Sequence, residues 1–261
     1  MHEVTLDNFN REQIIEALQE NLNRVILMQE SDLLKVTHTE KTIRTSSPVP
    51  FPLANFIVYL NVNNTEHVAD IIADYSHDMA IWFLLPPSTR DIAEIALIDH
   101  GFTRIEERPV LAGMLKDVIP DASPIQVVQA KSKQQAEDWI SVQSMANDGF
   151  PEDVIEIYRG IQKNSLYEGK ETFYYVAYDQ EQPVGCAILH LAGGVAGFYQ
   201  LAVIPDARRK GVATALARHR IQDALKHGYH IGGMMVTEMG HGVHSKIGFQ
   251  EVCKVHMYMK V

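Results

Sequence analysis

The sequence predicts an α/β (α+β) chain of two similar lobes, and three observations carry that reading. Short apolar runs, bounded by Pro, Gly and small polar residues, alternate with stretches whose apolar residues recur every three or four positions. Both halves end as strand, helix, Gly-Phe and two strands, with Gly101-Phe102 in the first and Gly248-Phe249 in the second. The period exceeds 100 residues, which marks a domain duplication and not a solenoid. A composition of 46% hydrophobic and 21% charged residues over 261 positions suits one large or two modest globular units.

In chain order, Asp7 or Asn8 is expected to cap a helix over residues 9–27, with Ile14, Leu18 and Val25 on one stripe. Residues 35–47, rich in threonine, read as irregular structure or an exposed hairpin. Pro48, Pro50 and Pro52 mark a loop before a strand at 55–62. Thr65 opens a helix, residues 80–85 form a strand, and Ser88 starts a helix that Gly101 closes. Two strands, 102–107 and 110–115, follow. Trp82 and Phe83 read as core. The prolines and mixed charge of 116–124 read as a linker, giving domains at 1–117 and 124–261.

The second half opens with a strand at 125–130 and a helix capped by Ser132, and a second helix follows Pro151. Strands at 172–178 and 184–191 are joined by a hairpin turn, and Gly193-Gly194 turns the chain into a third. Residues 198–204 are apolar up to Pro205, and the basic turn Arg208-Arg209-Lys210-Gly211 leads into a helix that Gly228 ends. A strand at 231–236, a short helix at 242–247, and strands at 250–252 and 255–259 complete the chain.

The net charge of −10 argues against a general nucleic-acid binder and would mildly attract cationic substrates. No apolar run is long enough to span a bilayer, and the N-terminus has no secretory pattern, so a cytoplasmic protein is expected. Cys186 and Cys253 read as buried thiols.

Strand, basic glycine-containing turn and helix N-terminus in succession make an anion site from backbone N–H groups and the helix dipole. Arg208 to Ala213 fit the pattern Arg/Gln-x-x-Gly-x-Gly/Ala, in which Gly211 and Ala213 let the backbone approach a phosphate closely. A solvated basic turn opening an ordinary helix would carry the same six residues, so the context decides. Neither a Walker loop nor a dinucleotide fingerprint is present.

In that context the stretch LAVIPDARRKGVATAL, with three strands before it and KIGF after the next strand, resembles the GNAT superfamily of acyl-CoA-dependent N-acetyltransferases over about residues 124–261. The resemblance implies that acetyl-CoA is the co-substrate and an amine of a small molecule or protein the acceptor. It implies two GNAT-like lobes, each a mixed, mostly antiparallel sheet flanked by helices, with the first a degenerate copy lacking the basic turn. Leu201, Ala202 and Val203 would hold the acetyl and pantetheine end. Arg208, Arg209, Lys210, Gly211, Val212, Ala213 and Thr214 would cradle the pyrophosphate.

The family's leaving-group tyrosine is replaced by His244, which becomes the candidate general acid. Gly197 stands where many members carry a base, leaving Tyr199 and Glu238 as the polar candidates nearby. His241 and His244 lack a third ligand of suitable spacing, so no metal is expected. The first half is expected to complete the architecture by covering the substrate groove or mediating homodimerisation. The rival expectation is an acyl-CoA sensor that binds without turnover.

Overall fold

A computed structural model describes residues 5–40, 42–59, 65–74, 81–84, 90–116, 124–168, 171–245 and 248–260. Helix α1 (Arg11–Leu27) starts two residues later than expected, because Asn10 is its cap and accepts from the Gln13 N–H. The threonine-rich passage is the hairpin β1 (Lys35–His38) and β2 (Thr42–Ser46), whose turn is tied by Thr39 and Thr42. Ile43 and Thr45 of β2 are fully buried, so the hairpin belongs to the core. Next come β3 (Phe56–Tyr59), α2 (Thr65–Asp74), β4 (Ile81–Leu84), α3 (Arg90–Asp99) and β5 (Phe102–Met114). The expected cap Ser88 and most of the linker, 117–123, lie outside the described residues.

The second half contains β6 (Ile125–Gln129), α4 (Lys133–Ala146), α5 (Glu152–Glu168), β7 (Thr172–Asp179), β8 (Gln182–Ala192) and β9 (Val195–Val203). After them come α6 (Val212–Lys226), β10 (Ile231–Met235), α7 (Glu238–Ser245) and β11 (Gln250–Lys260). Ser132 caps α4 through a full capping box with Gln135.

The eleven strands among the described residues form one sheet in the order β1-β2-β3-β4-β11-β5-β10-β9-β8-β7-β6. Two parallel pairs, β3 with β4 and β9 with β10, sit at corresponding places in the two halves, and every other pairing is antiparallel. The class is therefore the expected one, mixed and mostly antiparallel. The ends of the halves differ from the expected strand pairs. Each Gly-Phe opens a single long strand, β5 or β11, and these two are exchanged. β5 from the first half pairs with β10 of the second, and β11 from the second pairs with β4 of the first. β5 and β11 also pair with each other from Gln250 opposite Ala112 to Lys260 opposite Phe102. Neither half closes its sheet alone.

Burial follows this arrangement. α6 packs Val212, Leu216, Ile221 and Ala224 on one face of the sheet, and α4 packs Trp139, Ile140 and Val142 on the other. α1 lies across the seam: Ile14, Leu18 and Val25 share a cluster with Phe56 and Phe83 of the first half and Val195 and Ile231 of the second. Trp82 and Phe83 are core, as expected. Cys186 is a buried thiol and Cys253 a half-buried one.

Polar contacts lock α1 in place. Asn21, fully buried, shares its two Nδ2 hydrogens among the carbonyls of His190, Ala192 and Val195 at 2.7–3.1 Å. A Cβ at Gly197 would overlap Asn21 Oδ1 and the Tyr199 ring. Glycine stands there because a side chain of the other half occupies the space.

Candidate functional site

β9 and β10 are paired only where Ala196 and Gly197 face Gly232 and Gly233. Beyond this point the strands part, and Phe198–Val203 of β9 makes no ladder with β10. The parting has a local cause. Gln200 takes φ of 48°, and the β8–β9 register slips between Cys186 and Ile188. This bulge increases the local twist and turns the strand away from its neighbour.

Two side chains hold the bulge from opposite faces. Gln143 of α4 donates to the Gln200 carbonyl at 2.8 Å. Arg220 of α6 donates through Nη1 to the carbonyls of Ile188 at 3.0 Å and Tyr199 at 3.4 Å. Neither was singled out from the sequence. The available signal was a polar residue on an apolar stripe: Gln143 follows Ala136 and Trp139, and Arg220 lies between Leu216 and Ala224.

Leu201, Ala202 and Val203 line the parted segment of β9 and are half-buried. The chain then passes a 3-10 turn, Pro205–Ala207, and reaches the basic turn. Arg209 at φ 64° and Gly211 at φ 85° both take left-handed backbone. Glycine is the residue suited to Gly211, which caps α6 with no side-chain hydrogen bond, leaving the first-turn N–H groups of Val212, Ala213 and Thr214 uncapped. A Cβ at Gly211 would meet nothing within 4 Å, so the space before the helix is open. Arg209 and Lys210 are exposed there. Arg208 reaches back instead, donating to the carbonyls of Val203 at 3.2 Å and Ala146 at 3.3 Å, and so ties the end of β9 to α4.

The floor of the parting holds an unusual pair. Arg220 is 1% exposed, forms no ion pair among the described residues, and its Nη2 has no hydrogen-bond acceptor among them. Burial lowers its pKa to about 9, so it stays charged at neutral pH. It stacks over the Phe198 ring at 5.0 Å. His244 of α7 is 5% exposed, and its Nδ1 lies 3.0 Å from the Gly240 carbonyl. A carbonyl only accepts, so Nδ1 carries the proton and Nε2 is left with a lone pair and no partner among the described residues. Burial, and then the Arg220 charge, lower the imidazole pKa to about 4. At neutral pH the ring is uncharged and its free nitrogen is an acceptor.

The other candidates are held differently. The Tyr199 hydroxyl donates to Asn21 Oδ1 at 2.7 Å, and burial pushes the phenol up, away from any use as a base. Glu238 opens α7, and its side chain lies outside the described residues. His241 contacts Ser245 Oγ at 3.3 Å, and no group of three or more His, Cys, Asp or Glu among the described residues could hold a metal.

From the parting a cavity of about 430 Å³ extends between the halves. α1 contributes Leu18 and Leu22, β3 and β4 contribute Phe56 and Phe83, and α5 contributes Ile157 and Gln162. Arg220, Met235 and His244 lie where the cavity meets the parting. In the first half the corresponding strands are paired throughout their described lengths, from Phe56 opposite Ile81 to Tyr59 opposite Leu84, so the described residues of β3 and β4 show no such opening.

Comparison with known proteins agrees with this geometry. Residues 139–249 match the model of the acetyltransferase (GNAT) family. No curated protein matches the chain. Among solved structures, a GCN5-related N-acetyltransferase from Kribbella flavida has 13% identity and a TM-score of 0.66, covering 98% of this chain and 96% of its own. A functionally unknown conserved protein from Staphylococcus epidermidis has 13% identity and a TM-score of 0.63, covering 88% and 95%. A tandem GNAT protein from the clavulanic acid biosynthesis pathway has 11% identity and a TM-score of 0.62, covering 98% and 96%. At these identities the structures speak for the fold alone. Residues 139–249 are thus similar to the GNAT acetyltransferase family, and the fold along the chain is one that such proteins share. Among the described residues, no helix is long and apolar enough to cross a membrane.

Proposed function

We propose that this protein is an N-acetyltransferase that uses acetyl-CoA to acetylate an amine, with one cofactor site per chain. The carrying observation is the parting of β9 from β10 beyond Gly197, with the uncapped N-terminus of α6 at its open end. The described residues fit the cofactor: N–H groups of Val212, Ala213 and Thr214 suit a pyrophosphate, with Arg209 and Lys210 adding charge. The freed backbone of Leu201, Ala202 and Val203 suits the pantetheine end. When bound, acetyl-CoA supplies the thioester carbonyl that the amine attacks.

The chain divides in this reading into a degenerate domain at 1–117 and an acetyltransferase domain at 124–261, made interdependent by the strand exchange. The paired β3 and β4 support a single cofactor per chain. A cytoplasmic setting is part of the same proposal.

The residues beside the parting support electrostatic catalysis more than proton donation. His244 does not carry the proton a general acid needs at neutral pH, and we assign its Nε2 a receiving role. Arg220, whose Nη2 has no acceptor among the described residues, would offer a buried N–H to negative charge on the departing sulfur. Tyr199 is assigned to anchoring α1. Glu238 is retained as a candidate base.

The test is incubation of the full chain with acetyl-CoA and a broad amine panel, following free thiol and acetylated amine. Amine-dependent thiol release supports the transferase. Tight acetyl-CoA binding with no release above background on any amine would instead mark the chain as an acyl-CoA sensor.

A further inference from the structure

Resting on the transferase reading, we infer that the acceptor is a small, apolar α-aminoacyl amide, of one or two residues, bound in the cavity between the halves. Three observations on that cavity lead there. Its described wall contains no aspartate or glutamate, although the chain as a whole has 33 of them and a net charge of −10. Among the described residues the acidity lies elsewhere and offers no counter-charge to a cation inside. The wall instead carries two arginines, Arg108 and Arg220. Arg108 is matched by Glu106 at 2.6 and 2.8 Å, and Arg220 has no acidic partner among the described residues. A ligand with a second positive charge would lose its hydration, gain no counter-charge and meet the Arg220 field. The described wall therefore disfavours a polyamine or a lysine-rich segment.

The chemistry of attack narrows the amine. The described wall offers no carboxylate to take its proton. An alkylamine with pKa near 10.4 needs roughly 4–5 kcal/mol to become neutral at pH 7, and an α-amino group near 8 needs only about 1. An α-amine can attack with little help.

The third observation is Gln162. It lies on α5, is 2% exposed and lines the cavity, and neither its Oε1 nor its Nε2 has a partner among the described residues. A buried carboxamide with donor and acceptor both unmet is costly to keep. An amide on the ligand presents the matching acceptor and donor. The rest of the ligand would lie against Leu18, Leu22, Phe56, Phe83 and Ile157.

The probes are leucyl-leucinamide and lysyl-lysinamide, which share a backbone and differ in side-chain charge. Binding to the full chain is read by NMR saturation transfer and calorimetry, with and without CoA, and transfer by the mass of the acetylated product. Leucyl-leucinamide is expected to bind at least about tenfold more tightly than lysyl-lysinamide and to be acetylated on its α-amine. Gln162→Leu is expected to raise the melting temperature, since two unmet polar atoms vanish, while weakening leucyl-leucinamide about tenfold. Equal or preferred binding of lysyl-lysinamide overturns the inference. So does absence of leucyl-leucinamide binding, or unchanged affinity in Gln162→Leu. Thiol release from acetyl-CoA across the broad amine panel judges the transferase reading separately: release on other amines without leucyl-leucinamide binding overturns this inference alone, and no release on any amine overturns the transferase reading.

Discussion

The Tyr199 hydroxyl donates to Asn21 Oδ1 at 2.7 Å, and this bond joins the first helix of one half to the parting strand of the other. Asn21 also satisfies the carbonyls of His190, Ala192 and Val195, so one buried amide serves four groups. Asn21→Leu would keep the volume and leave those groups unmet. The expected loss is about 3 kcal/mol of stability or more, read by chemical denaturation. A loss below about 1 kcal/mol would show that the amide is not the anchor.

The strand exchange makes a strong demand on the first half. A fragment of residues 124–261 would lack β5, which pairs with β10 from Ile231 to Met235, and α1, which covers the seam. It is expected to be insoluble or unfolded by circular dichroism, because an open apolar strand edge invites aggregation. A soluble, monomeric and active fragment would contradict the interdependence of the halves.

Stability should depend on pH through two buried imidazoles. His244 and His190 are both lowered by burial from 6.5 to about 4 in the folded state. The unfolded chain then binds more protons between these values, so stability is highest above pH 6.5 and falls as pH drops towards 4. Each group contributes on the order of 3 kcal/mol to that fall. Denaturant melts from pH 7.5 to 4.5 should show the slope, and His244→Gln should reduce it by about half. An unchanged slope would mean that His244 is not held neutral.

Arg220 is expected to act on the departing sulfur. Arg220→Gln should lower kcat about a hundredfold with a much smaller change in KM for acetyl-CoA. The deficit should shrink when the acetyl thioester carries a more acidic thiol, which needs less help to leave. A deficit independent of the leaving group would reduce Arg220 to its role as a brace on the Ile188 and Tyr199 carbonyls.

Much of this was legible in local residue patterns. The Ser132 cap, the turn from Pro205 to Gly211 and the Gly-Phe echo each depend on neighbours in sequence, and the elements formed where those signals stand. The exchange of β5 and β11 was not legible. A strand paired within its own half or across to the other buries the same alternate side chains, and only long-range packing chooses. Gln143 and Arg220 were missed for a related reason: their partners are backbone carbonyls exposed by a bulge at Gln200 that no residue type announces. The overall acidity pointed to cationic substrates, and composition cannot tell that the described cavity wall is free of carboxylates.

The central claim is that the N-terminus of α6 holds the cofactor pyrophosphate. Ala213→Asp tests it most directly, because an aspartate in the first helical turn favours the helix while placing a negative charge against the phosphates. Calorimetric titration with acetyl-CoA should give one site per wild-type chain. In Ala213→Asp the melting temperature should hold or rise and affinity should fall about tenfold or more. Unchanged affinity in the variant, or two sites per chain in the wild type, would contradict the account.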